Sequence, residues 1–362
     1  MQNTIIISRE VSERIRALKF MLILGVVFIH MGDNYENVIK LSNDSFAHAC
    51  WFVIYFLSDV LAATAVPLFF LMSSVLFFKD FRPTQVCYVD KLKNRFRTLV
   101  IPYLFWLLAY LAFKFTVQSL PFLSGVIGGD SKRIVEYKLY DYFDALSGWT
   151  SFPISYQFWF IRDLIVIVCI SPVIWLAVRY LSWLVPVLFL VLWVLDIQRV
   201  ANVHYEGLLF FTLGCLVIQH GLRLTMKEGQ SYLLLLVYLC LALAIALANS
   251  FGISLPVASK LVLMTGVVAV WYGSGLLEKV DSLREYFVRM SSYSFFIYAA
   301  HEPLLGILVK ITNKSNLRGS LIWQFLLYWI YPVIVVLSLW SLSKVLKSRV
   351  PQTYALLTGG RA

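Results

Sequence analysis

Two ionisable residues stand at the ends of one apolar run, Lys19-Phe-Met-Leu-Ile-Leu-Gly-Val-Val-Phe-Ile-His30. If the run is helical, eleven steps of about 100° bring His30 to within about 20° of Lys19 on one face. A rise of about 1.5 Å per residue separates them by roughly 16 Å, about half the hydrocarbon thickness of a bilayer. With Lys19 at a membrane surface, His30 lies near the middle, where an ionisable group marks a functional site by default. An imidazole there can take a proton or attack a carbonyl. It can also tie two helices together through a backbone carbonyl. Asp33, three residues on, shares the face of His30 and would fix its tautomer. Alternatively it ends the helix together with Gly32 and Asn34.

A second histidine lies in Ser291-Ser-Tyr-Ser-Phe-Phe-Ile-Tyr298-Ala-Ala-His301-Glu302-Pro303, followed by an acid and a helix-bending proline. His301 is placed to meet His30 near mid-membrane or to line an acceptor path, with Tyr298 one turn earlier on a similar face. The stretch Gln157-Phe-Trp159-Phe-Ile-Arg162-Asp163 opens another apolar run. Adjacent opposite charges there are costly unless they line a polar cavity or pair with neighbouring helices. The basic cluster Lys91-Leu-Lys93-Asn-Arg95-Phe-Arg97 precedes Pro102-Tyr103, at the same membrane level as Lys19. Arg95 and Arg97 lie nearest the membrane, and with Lys19 they would clamp a phosphorylated ligand entering from the cytoplasm. The plain alternative is charge that only sets topology.

These residues need helices to hold them. The chain is 60 % apolar and 14 % charged, against about 45–50 % and about 25 % in soluble domains, so it reads as a polytopic membrane protein. Hydropathy places about ten spans, roughly at 18–34, 51–78, 99–119, 157–178, 181–196, 206–220, 231–249, 256–277, 291–310 and 321–345. The second is long for one span, with a break expected near Pro67. The fifth and sixth are short enough to be re-entrant. The polar start, without a cleavage site after the first run, predicts a retained helix and not a signal peptide. Cations gather before the first run and in every second loop, which predicts cytoplasmic termini and an even number of spans.

The longest loop, residues 120–156, is external on this topology. It mixes aromatics such as Tyr137, Tyr140 and Trp149 with charges such as Lys132, Asp141 and Asp144. Such a surface suits sugar rings, and equally an aromatic belt resting on the bilayer. The net charge of +11 comes from loop cations without a basic stripe interleaved with aromatics, so no nucleic-acid partner is expected. Five cysteines without C-x-x-C read as packing residues. With no H-E-x-x-H either, no metal is expected. Phosphate-loop, dinucleotide and G-x-S-x-G motifs are also missing.

Taken together the motifs resemble the membrane acyltransferase-3 family. Lys19-x10-His30 resembles its K/R-x10-H signature, and Pro67-Leu-Phe-Phe-Leu-Met-Ser73 its PLFF-x-x-SG segment. Arg95-Phe-Arg97-Thr-Leu-Val-Ile-Pro102-Tyr103 is similar to its R-x-x-R…PY turn. Phe158–Leu164 and Ser294–His301 resemble its fourth-helix and late-helix motifs. Two positions depart: Ser74 stands at the usual Gly, and Thr98 where the second Arg of R-x-x-R would fall. The resemblance covers nearly the whole chain as one domain, residues 1–362. It implies a bacterial inner-membrane O-acetyltransferase that moves an acetyl group from acetyl-CoA to a sugar of a surface polysaccharide, O-antigen or lipopolysaccharide included, or of its lipid-linked precursor.

On that resemblance His30 is the catalytic base or acyl carrier; Asp33 by its spacing and His301 by its position stand with it as catalytic candidates. Lys19, Arg95 and Arg97 hold the donor. Trp159, Arg162, Asp163, Tyr298, Glu302 and the external loop face the glycan. A transporter of such a glycan is the alternative, since mid-membrane polar groups serve both, although no inverted repeat with paired broken helices is visible. A non-catalytic scaffold has no need to bury two histidines.

Overall fold

The structure, a computed structural model, describes residues 8–33, 45–120, 132–314 and 320–360, with Asp33 described by its backbone alone. The described residues form helices and turns, with no strand among them. Seven helical stretches are long and apolar enough to cross a membrane. They are Arg9–Gly32, Ser45–Phe78, Gln85–Ser119, Glu228–Ser250, Pro256–Lys279, Asp281–Asn313 and Leu321–Arg349. Tyr156–Cys169 and Ser171–Leu181 form a pair bent by 67°. Pro172 explains the bend, because it stands at the start of the second helix and lacks the N–H that would continue the first. Leu184–Val194 and Tyr205–Gln219 are shorter apolar helices.

All ten anticipated segments are therefore helical, but they are not ten full spans. At 11 and 15 residues, the two short helices rise only about 16 and 22 Å, less than the roughly 30 Å of a bilayer core. By length and composition the count among the described residues is seven, or eight with the bent pair.

The helix Arg9–Asp33 is unbroken and lies against Ala65–Phe78, Asp281–Met290, Ser294–Asn313 and Leu321–Arg349. Its packing partner Ser45–Phe78 changes pitch, passing through a π-helical stretch, Phe56–Leu61, and a 3-10 turn, Ala62–Thr64. The irregularity falls just before Pro67, whose ring cannot accept a regular preceding turn. It brings Ser58 against Gly32, where an added Cβ would lie 2.7 Å from the Ser58 side chain. Ser58 donates to the Phe28 carbonyl at 2.7 Å and shares a 2.8 Å hydrogen bond with the Tyr328 hydroxyl. This joint fixes the His30 end of the helix. At the other end, buried Arg14 donates to Glu278 at 2.8 Å and to Glu10 at 3.1 Å.

Ser74, where a glycine was expected, is buried and donates to the Phe211 carbonyl. The close approach is supplied from the opposite side. Gly214 faces Ser74 and Gly207 faces the Phe70 ring, and a Cβ at either would come within 2.8 Å of its neighbour. Two glycines two turns apart let Tyr205–Gln219 press along Ala65–Phe78. That helix is apolar all round and buried along most of its length.

The described part of the long loop folds back on the Ile101–Ser119 helix. Gln118 accepts from the Ile134 N–H at 2.8 Å, and Tyr103 donates to the Leu146 carbonyl at 2.6 Å. Its helix Leu139–Ser147 starts where Asp141 accepts from the Lys138 N–H and stops at Gly148, φ 61°.

Candidate active site

His30, Tyr156 and His301 meet inside the helix bundle. The Tyr156 hydroxyl lies 2.8 Å from Nδ1 of His30, with the two rings edge to face at 5.0 Å. The His301 ring stands 5.1 Å from the His30 ring. Both histidines are buried, His301 completely. Nδ1 of His301 lies 2.7 Å from the Tyr298 carbonyl one turn earlier, so it carries the proton. Nε2 is then the acceptor nitrogen of the neutral ring, and it has no hydrogen-bond partner among the described residues. The same reasoning applies to His30. If Nδ1–H donates to the Tyr156 oxygen, Nε2 is left basic. Asp33, expected to orient His30, has its side chain outside the described residues.

A cavity of about 700 Å³ opens beside Lys19, midway along the first helix. Arg16, Lys19, Arg95, Arg289 and Lys347 line it, and Ile23, Phe69, Phe160 and Leu164 form apolar wall. Arg95 is held there by a 3.4 Å hydrogen bond to the Ser73 carbonyl, with its guanidinium 5.7 Å from the centre of the Phe77 ring. Tyr298 also lines this cavity, and its ring lies 6.2 Å from His301. Its hydroxyl donates to the Gln157 carbonyl at 2.6 Å. Tyr298 thus connects the wall of the basic cavity to the histidine pair. Arg97 is exposed and is not among the residues lining the cavity. Two helical steps turn it roughly 200° away from Arg95.

Arg162 and Asp163 are buried and point away from that cavity. Arg162 donates to the carbonyls of Ala201 at 3.3 Å and Asn202 at 3.0 Å. Its Nε lies 2.9 Å from Asp163, an ion pair between chain neighbours whose angle is too poor for a hydrogen bond. The other Asp163 oxygen accepts twice from His204, from N–H at 2.9 Å and from Nδ1 at 2.7 Å. Arg199 donates to Nε2 of His204 at 2.7 Å, which sets a neutral ring with the proton on Nδ1. Trp159 packs on that imidazole, with ring centres 4.3 Å apart.

The structure therefore gathers His30, His301 and Tyr298 at one place and Lys19 with Arg95 in one cavity below it. Trp159, Arg162 and Asp163 join a separate network around His204. Glu302 is half-buried, with one carboxylate oxygen over Gly306. Sequence reasoning missed Tyr156 and His204. Tyr156 stood at a loop end, and His204 lies in a polar stretch between two apolar runs. Each meets its partner far along the chain, 126 residues away for Tyr156 and 41 for His204. The one available signal was a lone histidine five residues after Arg199.

A family described as "Acyltransferase domain" matches residues 12–341. The chain is 25 % identical over 360 residues to the "Succinoglycan biosynthesis protein ExoH" of Rhizobium meliloti, covering 97 % of this chain and 93 % of that protein. No solved structure matches it. The match includes Lys19 and His30 of the first helix, Arg95 and the Ser294–Asn313 helix with His301, and the chain belongs to the membrane acyltransferase-3 family.

Proposed function

We propose that this acyltransferase is an O-acetyltransferase of the bacterial inner membrane. It takes an acetyl group from cytoplasmic acetyl-CoA and places it on a sugar hydroxyl of a surface polysaccharide or its lipid-linked precursor. One observation carries the reading: an unbroken helix runs from a cation-lined cavity at Lys19 to a buried histidine pair at His30. Eleven residues of helix separate the two by about 16 Å, close to the reach of an extended pantetheine arm.

Five cations at the mouth suit the phosphates of the donor, Lys19 and Arg95 foremost. The apolar wall suits the arm, and the thioester end points at Tyr298. In direct transfer the sugar oxygen attacks the thioester carbonyl. His30 Nε2 takes the hydroxyl proton, the C–O bond forms, the C–S bond breaks, and the thiolate leaves with that proton. With its oxygen accepting from Nδ1–H, Tyr156 would hold His30 in the tautomer this requires. If His30 attacks first, Nε2 bonds the acetyl carbon as the C–S bond breaks and the thiolate leaves; the sugar oxygen then bonds that carbon, the N–C bond breaks, and the hydroxyl proton passes to the thiolate. That the relative is named for a polysaccharide supports a glycan acceptor.

The test is the O-acetyl content of the glycan, read by mass spectrometry from cells with the native chain, with His30→Ala and with no copy. The expected result is acetylation with the native chain alone, at equal membrane levels of the variant. Acetylation that persists in His30→Ala removes His30 from the chemistry. Unchanged acetylation with less surface glycan in the cells lacking the chain replaces the enzyme with an exporter.

A further inference from the structure

At the opposite end of the Trp159–Cys169 helix from Arg95 lies a second cavity, of about 670 Å³, separate from the basic one. That volume falls within the range of roughly 300–1,000 Å³ typical of small-ligand sites. Three aromatic side chains stand around it: Trp149 from the long loop, Trp193 from the end of Leu184–Val194, and Tyr205 from the start of Tyr205–Gln219. Polar groups stand between them, including Asn202, His204 and Glu206. Flat apolar faces with fixed donors and acceptors between them match the two surfaces of a pyranose ring.

The rim is built to hold its shape. Asp196, Ala201 and Asn202 all have φ near +50°, values of 51°, 50° and 56°, a left-handed conformation that Asp and Asn tolerate but that is costly at Ala201. Such a loop persists only where its surroundings impose it. Here buried Arg162 holds two of its carbonyls, and the Asn202 amide donates to the carbonyls of Gly148 at 3.2 Å and Ser151 at 2.9 Å. Lys260 donates to Asp196 at 2.6 Å. The cations near the rim are thus engaged: Arg162 with Asp163, Arg199 with His204 and Lys260 with Asp196. Arg162 and Lys260 are each matched by a carboxylate, and Glu206 stands in the same lining as Arg199, so no cluster of unmatched cations is offered to a phosphate or a uronate.

The cavity is also close to the histidine pair along the chain. Tyr156 touches His30, and Trp159, three residues later, touches His204 on the cavity wall. Three residues of helix advance only about 5 Å.

We propose that this outer cavity binds a neutral pyranose unit of the acceptor glycan, with Trp149, Trp193 and Tyr205 as stacking faces and Asn202 and Glu206 as partners for its hydroxyls. The proposal rests on the acyltransferase reading above and adds the acceptor subsite to it.

The experiment uses the full chain in nanodiscs with neutral oligosaccharides cut from the alkali-deacylated surface glycan of the source cells. Trp149 is 55 % exposed, so Trp149→Ala removes a stacking face with little loss of packing. Titration calorimetry should show saturable binding by the native chain and about tenfold weaker binding by Trp149→Ala and by Glu206→Gln. The acceptor KM should rise by about the same factor while the KM for acetyl-CoA and the slow hydrolysis of acetyl-CoA stay at native values. No saturable binding by the native chain overturns the proposal, as does native binding by both variants. Loss of hydrolysis in His30→Ala alongside native acceptor KM in Trp149→Ala keeps the enzyme and discards the site. Trp149-dependent binding without any acyl transfer keeps the site and discards the enzyme.

Discussion

Asp163 is the residue whose replacement should cost the fold most. It is fully buried, accepts two hydrogen bonds from His204 and lies 2.9 Å from the Arg162 guanidinium. Asp163→Asn keeps the volume and removes the charge. Its amide cannot satisfy both sides: with the oxygen toward His204, the NH₂ meets the N–H of Arg162, and a flip puts the NH₂ against the two His204 donors. Either way one donor faces another, and Arg162 is buried without its counter-charge. Breaking a buried pair from one side costs about 3–5 kcal/mol. Arg162→Met alone should cost a similar amount, since it strands the carboxylate and frees the Ala201 and Asn202 carbonyls. The double variant removes the donor conflict, because the asparagine oxygen serves His204 and its NH₂ faces an apolar side chain. Its loss should therefore fall short of the summed single losses by about 2–3 kcal/mol. Unfolding in mixed micelles by SDS titration, followed by circular dichroism, measures all four chains. Single losses that add to within about 0.5 kcal/mol would refute a coupled pair and leave two independent buried groups.

Removing the Tyr156 hydroxyl as Tyr156→Phe should lower kcat about 10- to 100-fold with the KM for acetyl-CoA unchanged, and an unchanged kcat would remove it as the orienting partner of His30. Arg95→Ala should raise the KM for acetyl-CoA about tenfold, whereas Arg97→Ala, outside the cavity, should leave it alone. Gly214→Val should destabilise the bundle by about 1–3 kcal/mol, as added volume does in a packed core, and Ser74→Gly in the same chain should recover part of the loss in the same SDS titration. Acid should loosen the start of Leu139–Ser147. The hydrogen bond from Lys132, and then that from the Lys138 N–H, hold Asp141 below the usual carboxylate range. A lowered native pKa stabilises above the unfolded value and is lost as pH falls through the native one. Amide exchange at 138–142 should therefore quicken, after correction for intrinsic rates, between about pH 4 and pH 2, and Asp141→Asn should exchange fast already at pH 5.

What could be read from the sequence follows the range of each signal. Apolar runs act locally, so all ten segments were found where helices stand, and Pro67 marked the irregular turn before it. Length is where the reading overshot: Leu184–Val194 and Tyr205–Gln219 are apolar enough to cross but too short. The first is largely exposed on its apolar side, whereas the second is wrapped by its neighbours, a difference hydropathy cannot register because both read as apolar. The Ser74 position shows the same limit. A missing glycine on one helix says nothing of a glycine on its partner, and Gly214 is 140 positions further along.

The site divides along the same line. Lys19 and His30 share one helix, so their alignment followed from 3.6 residues per turn. Arg162 and Asp163 were found for the cost of burying them, but nothing local shows that their polar atoms turn to Ala201, Asn202 and His204. The stretch Tyr156–Asp163 is where these long-range contacts converge. Tyr156 reaches His30, Gln157 takes the Tyr298 hydroxyl and donates to Ala299, Trp159 packs on His204, and Arg162 holds the outer loop. A basic cavity ending at Tyr298 and an outer cavity walled by His204 are thus tied to one short piece of helix. A shift in it moves both walls and the partner of His30 together. If donor and acceptor approach from opposite faces, as proposed above, that stretch is where the two approaches are brought into register.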